Sequence, residues 1–153
     1  MPFSISFCDT PLVYEYDDPT TAGTEGLLVI GEWRESFLSS LYEWTKQDYE
    51  RQWQAAINSL VQGAEKSALI TEFVGPEASS HLQWWPLYRL GGTVYFHNQI
   101  LFYDQLSEPF SLADISKFVS ERQTVNEDGA AISEWSIPLS ALEEFARNSG
   151  WTD

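Results

Sequence analysis

A single cysteine, Cys8, stands in 153 residues. It excludes an intramolecular disulfide and sets aside most cysteine-based metal sites. Such cysteine use suggests a reducing cytoplasm. Bases are scarce as well: eight Lys and Arg face 23 Asp and Glu, a formal charge of −15. Holding phosphates takes clustered cations, so direct nucleic-acid binding and attachment to an anionic membrane are both disfavoured. No apolar run approaches the roughly 18 residues of a spanning helix. The stretch Met1 to Asp9 has neither the basic start nor the apolar run of a secretory leader. Only two histidines, His81 and His97, are available for acid–base or metal chemistry.

Aromatic residues are plentiful. Seven Trp, seven Tyr and nine Phe stand in a chain that is 43% hydrophobic, enough for one core and one domain over residues 1–153. There is no repeat and no dividing linker, and residues 1–26 are poorly defined because Pro, Gly and Thr interrupt any long element. The acid lies in the first and last thirds, which carry net charges of −8 and −7, while the middle third is neutral. An excess this large favours a basic partner or long-range steering of one.

Patterning gives an order of elements. Residues 12–14 read as a short strand and 17–23 as a loop. Leu27 to Phe37 reads as one strand, with Gly31 as a bulge or close approach. Thr45 caps a helix that carries Asp48 at its third position and Tyr49, Trp53, Ala56, Ile57 and Leu60 on one face, ending near Gly63. Ser67 to Val74, Leu82 to Leu90 and Thr93 to Phe102 read as an antiparallel meander with a Gly91-Gly92 turn. Pro86 places the second of these at an edge or a bulge. Ser111 and Asp114 open a second helix, Asn126 to Gly129 is a loop, Ala131 to Ile137 is a last strand, and Pro138 starts a final helix that ends at Gly150. The expected class is α+β, with a largely antiparallel sheet and about three helices.

Nothing in the motifs points to a reaction. There is no phosphate loop, no nucleophile elbow and no metal-ligand spacing, so neither a cofactor nor a metal is expected. On strand alternation His97 points away from Val94, Phe96, Ile100 and Phe102, which reads as a surface or half-buried histidine. A small acidic enzyme centred on it is the alternative to a binding protein. His81 reads as a solvated turn residue and Cys8 as inert. Trp84 and Trp85 lie on opposite strand faces: one belongs to the core, and the other packs across strands or anchors a partner.

Four stretches carry a resemblance. They are Val29-Ile30-Gly31-Glu32-Trp33 running on to Tyr42-Glu43-Trp44; Asp48-Tyr49 with Trp53 and Ser67-Ala68-Leu69; Leu87-Tyr88 with Val94 to Phe102; and Ile115 to Arg122 followed by Asp128-Gly129 and Ile132-Ser133-Glu134-Trp135. In order and spacing they resemble the immunity proteins of bacterial contact-dependent growth inhibition, in particular the Enterobacter-type branch paired with a ribosomal-RNA nuclease toxin. Residues 1–26 fall outside the likeness. The resemblance implies a curved, Whirly-like antiparallel sheet with helices. It also implies a non-catalytic, cytoplasmic antitoxin that binds the C-terminal toxin domain of a large exoprotein, with no direct contact to nucleic acid or membrane. An acidic inhibitor suits the basic cleft of a nuclease. The acids beside aromatic anchors are then the candidates for toxin contact: Glu32 and Glu35 around Trp33, Glu43 and Asp48 around Trp44, Asp104 and Glu108 after the central strand, and Glu127 and Asp128 in the late loop. Glu134 and Trp135 read as structural.

Overall fold

The structure is a computed structural model that describes residues 2–9 and 22–151. Its elements are β1 (Phe3–Phe7), β2 (Gly23–Ile30), β3 (Trp33–Ser40), α1 (Lys46–Val61), β4 (Lys66–Glu72), β5 (His81–Leu90), β6 (Thr93–Phe96), β7 (Gln99–Phe102), β8 (Trp135–Pro138) and α2 (Leu139–Asn148), with 3-10 segments at Tyr103–Gln105 and Leu112–Phe118. Strands β1-β2-β3 form one antiparallel sheet. Strands β4-β5-β6-β8 form a second, to which β7 adds by pairing with β5. The class is the expected α+β. The strand read at 12–14, and most of the loop at 17–23, lie outside the described residues.

The stretch Leu27 to Phe37 is a hairpin rather than one strand. Gly31 sits at φ 63° in its turn, and Ile30 pairs with Trp33. A left-handed residue turns the chain where a bulge would only bend it. Strand β1 alternates Phe3, Ile5 and Phe7 with serines and pairs with β2. Gly26 lies between Phe7 and Phe37 in the three-strand register, and the Phe37 ring occupies the space that a side chain there would need: a Cβ would stand 2.2 Å from it.

Helix α1 forms as its sequence requires. Thr45 and Asp48 make a reciprocal capping box, and Tyr49, Trp53, Ala56, Ile57 and Leu60 are all buried. Strand β4 is the outer strand of its sheet, and the side chains of α1 close its edge. The Gln52 amide donates to Ala68 O at 2.7 Å and accepts from Ile70 N at 2.8 Å, as a paired strand would, while Trp53 Nε1 donates to Ile70 O at 2.7 Å. Tyr49 Oη then joins the two sheets, donating to Ser40 O at 2.7 Å and accepting from Phe73 N at 3.0 Å. Ser39 Oγ adds a bond to Thr71 O. Buried backbone groups keep their partners in this way.

Of the edge or bulge expected at Pro86, the edge is not found: Pro86 lies in an interior strand, beside an interruption of the pairing. It pairs with Ala68 on one side, and on the other the partner strand is broken into β6 and β7. The break falls at His97-Asn98, where Pro86 offers no N–H. Its carbonyl still accepts from His97 N at 3.0 Å. The second predicted helix is a 3-10 segment with a kink at Asp114 and no side-chain cap from Ser111. Strand β8 is shorter than expected, beginning at Trp135. Pro138 caps α2 and Gly150 follows it at φ 73°.

Candidate functional site

Around Trp84 to Tyr88 both faces of the β4–β8 sheet are covered, by different parts of the chain. Strand alternation puts Trp85, Leu87, Phe96 and Trp135 on one face, where Phe3 packs at 5.6 Å from Phe96 and Trp33 lies 5.1 Å from Trp135. On the other face Trp84 meets Phe110 and Tyr88 Oη donates to Ser120 O at 2.9 Å. The chain from 103 to 134 therefore closes that second face. This answers the Trp84-Trp85 question: both are buried, at 1% and 2% exposure.

It also moves His97. Expected at or near the surface, it is 1% exposed, because a segment beyond the sheet covers it. Its Nε2 lies 2.7 Å from Glu134 Oε2. Arg122 grips the same carboxylate through Nε at 2.7 Å and Nη2 at 2.6 Å, and its guanidinium stacks 4.2 Å over the Tyr95 ring. The Arg122 guanidinium first, and His97 after it, hold the Glu134 carboxyl below its usual range despite partial burial. An ionised carboxylate only accepts, so His97 donates from Nε2. The cluster is a clasp that closes the base of the exposed 123–133 arm. A cavity of about 480 Å³ beside α1 is lined by none of His97, Arg122 and Glu134, and one of about 490 Å³ beside Tyr88 is lined by Arg122 but by neither His97 nor Glu134. Among the described residues no group of three or more His, Cys, Asp or Glu could hold a metal.

The candidate acids divide into two kinds. Several are occupied within the chain. Asp48 caps α1, and the Thr45 backbone N–H and hydroxyl hold its carboxyl below the usual range. Glu43 accepts from Gly75 N at 3.1 Å, and Glu108 pairs with Lys117 at 2.5 Å. Glu127 and Asp128 sit at the arm's tip, in a turn organised by Asn126 Oδ1. Glu32, Trp33 and Glu35 come together at the β2–β3 turn, and Glu35 Oε2 meets Asn98 Nδ2 at 3.4 Å. Asp104 is exposed in the 3-10 turn that follows β7.

Sequence reasoning missed Ile100 and Phe102. They share the buried Phe96's face, yet are 52% and 40% exposed. His81 stands opposite Phe102 at the start of β5, half-buried, rather than in a solvated turn. The detectable signal was Asn98, a polar residue on that face where the covering layer ends.

Comparison with known proteins places this architecture. Residues 39–145 match the CdiI N-terminal domain family. The chain is 30% identical over 118 residues to Immunity protein CdiI of Enterobacter cloacae, covering 77% of this chain and 81% of that protein. Its fold superposes on a chain of the CdiA-CT/CdiI toxin and immunity complex from Enterobacter cloacae with a TM-score of 0.85 and 26% identity, over 98% of this chain and 99% of that one. With a family model matched over residues 39–145 and a relative 30% identical over 77% of its length, the chain belongs to the CdiI immunity-protein family.

Proposed function

We propose that this chain is the antitoxin of a contact-dependent growth-inhibition pair, binding the C-terminal toxin domain of its own exoprotein and blocking it. The observation that carries the reading is end-to-end likeness to a chain of a toxin–immunity complex. We further propose that the toxin is a basic nuclease and that inhibition takes place in the cytoplasm. A charge of −15 supports this, since a domain that holds RNA presents cations and an acidic inhibitor is steered to them. Among the described residues no helix is long and apolar enough to cross a membrane. Inhibition requires no cofactor, and His97, with its Nε2 taken by Glu134, serves the fold in this reading.

The test is co-expression. The C-terminal domain of the exoprotein encoded immediately upstream should arrest growth when induced alone, and this chain should relieve the arrest. Total RNA on a gel would then identify the substrate. Arrest that persists with this chain in excess would overturn the reading. The electrostatic part is checked separately, because the association rate should fall as salt rises while dissociation changes little.

A further inference from the structure

Resting on the antitoxin reading, a single face of the molecule stands out. Glu72, Gln83 and Ile100 form one row across β4, β5 and β7, and His81 and Phe102 form the next. Beside these rows runs β3, whose inward residues Trp33 and Glu35 touch Trp135 and Asn98. Residues two apart on a strand share a face roughly 7 Å apart. Trp33, Glu35, Asn98, Ile100 and Phe102 therefore make a continuous strip.

The strip is apolar at its two ends, Trp33 on one and Ile100 with Phe102 on the other, and Glu35 meets Asn98 between them. Trp33, Ile100 and Phe102 are 41%, 52% and 40% exposed, whereas the other exposed large side chains are scattered: Leu38 on the outward side of β3, Tyr42 just after β3, Leu90 at the β5–β6 turn, Leu112 in the 3-10 segment and Val125 in the 123–133 arm. Its border is acidic, with Glu32, Glu35, Glu72 and, after Phe102, Asp104. Four of the chain's eight cations are engaged elsewhere: Lys66, Lys117 and Arg122 pair with Glu121, Glu108 and Glu134, and Arg89 donates to Leu60 O. Arg34, between Trp33 and Glu35, alternates to the outward side of β3. Burial raises the Glu72 carboxyl above its usual range, and a partner's cation beside it would offset that desolvation. Exposed apolar anchors interleaved with and bordered by charged groups are the composition of a protein interface.

We propose that the face carrying Trp33, Ile100 and Phe102, bordered by Glu32, Glu35 and Glu72, is where a basic toxin domain docks. The apolar side chains anchor the contact, and the carboxylates between and around them meet the toxin's cations.

The test uses the C-terminal domain of the exoprotein encoded immediately upstream, recovered from its complex with this chain. The double variant Ile100→Thr/Phe102→Thr places β-branched side chains suited to a strand at both positions of β7. It should weaken binding at least tenfold and abolish protection, while Leu38→Thr and Leu90→Thr stay within threefold of the parent. Glu32→Gln/Glu35→Gln should slow association most at low salt. Hydrogen exchange on the unaltered complex guards against a misfolded variant, since amides of β7 and of residues 33–35 should gain protection. If the parent chain binds and the double variant matches it within threefold, or exchange at β7 is unchanged, the docking face is wrong and the antitoxin reading stands. If the parent chain does not bind at all, both fall.

Discussion

Removing the Glu134 carboxylate tests how the arm is held. In Glu134→Ala, the 1%-exposed His97 loses the acceptor for its Nε2–H, and Arg122 loses both of its bonds. Leaving one buried donor without a partner costs about 1–3 kcal/mol. The Arg122 pair is partly solvated, with side chains 27% and 20% exposed, so it adds at most about 1 kcal/mol. The loss should be about 2–3 kcal/mol, which at this chain length lowers the thermal midpoint by about 5–10 °C. Glu134→Gln should fall between, because its amide oxygen still accepts from His97 while its NH₂ faces the Arg122 donors.

The effect should also depend on pH. Folding holds the Glu134 carboxyl below its ordinary value of 4.5. A lowered carboxyl contributes stability that is fully present above the unfolded value and is lost as pH falls through the folded one. The midpoint difference between parent and Glu134→Gln should therefore be constant near neutrality and shrink as pH falls below about 4.5. Calorimetry across pH 3–8 measures both quantities. A midpoint drop under about 1 °C for Glu134→Ala, or a difference that stays constant to pH 3, would refute the clasp.

Other perturbations probe the joints of the fold. Tyr49→Phe removes the hydroxyl between Ser40 O and Phe73 N. It should cost about 2–3 kcal/mol in urea unfolding, because two backbone groups lose one shared partner. Gln52→Glu keeps an acceptor for Ile70 N but offers no donor to Ala68 O. It should destabilise the chain by about 1–3 kcal/mol and speed hydrogen exchange along β4. Gly26→Ala drives a methyl into the Phe37 ring and should cost about 1–3 kcal/mol. Adding Phe37→Leu should recover part of that loss, and strict additivity in the double-mutant cycle would contradict the close contact. Glu72→Gln should raise the midpoint at pH 7, since burial disfavours the charged carboxylate there. The gain should vanish at acidic pH, where the parent is protonated too.

How far the sequence speaks depends on the range of the interactions that decide each feature. Helix α1 was legible because its cap and its repeat are local: Thr45 and Asp48 satisfy each other within one turn, and the five buried residues follow the helical period. The β5–β6 hairpin was legible for the same reason, through Gly91 at φ 61°. Strand β1 carried an equally local signal, the alternation of Phe3, Ile5 and Phe7, but it is short and its partner strand begins at Gly23. Gly31 was recognised as special and assigned the wrong geometry, since a bulge and a two-residue turn look alike until pairing is known. His97 shows where local reasoning stops. Strand alternation placed it correctly opposite Phe96, yet its burial is set by Arg122 and Glu134, and Glu134 lies 37 residues away. The candidate surface behaves in the same way. Composition pointed to an acidic binder, but only tertiary contacts separate Glu43, Asp48 and Glu108, each held by a backbone N–H or a lysine of its own chain, from Glu32 and from Glu35, which meets Asn98 beside exposed apolar side chains. Ile100 and Phe102 complete the argument. Their pattern is that of a core strand, and they are exposed because the covering sheet ends before β7. An apolar face left open beside carboxylates is what a partner would have to cover.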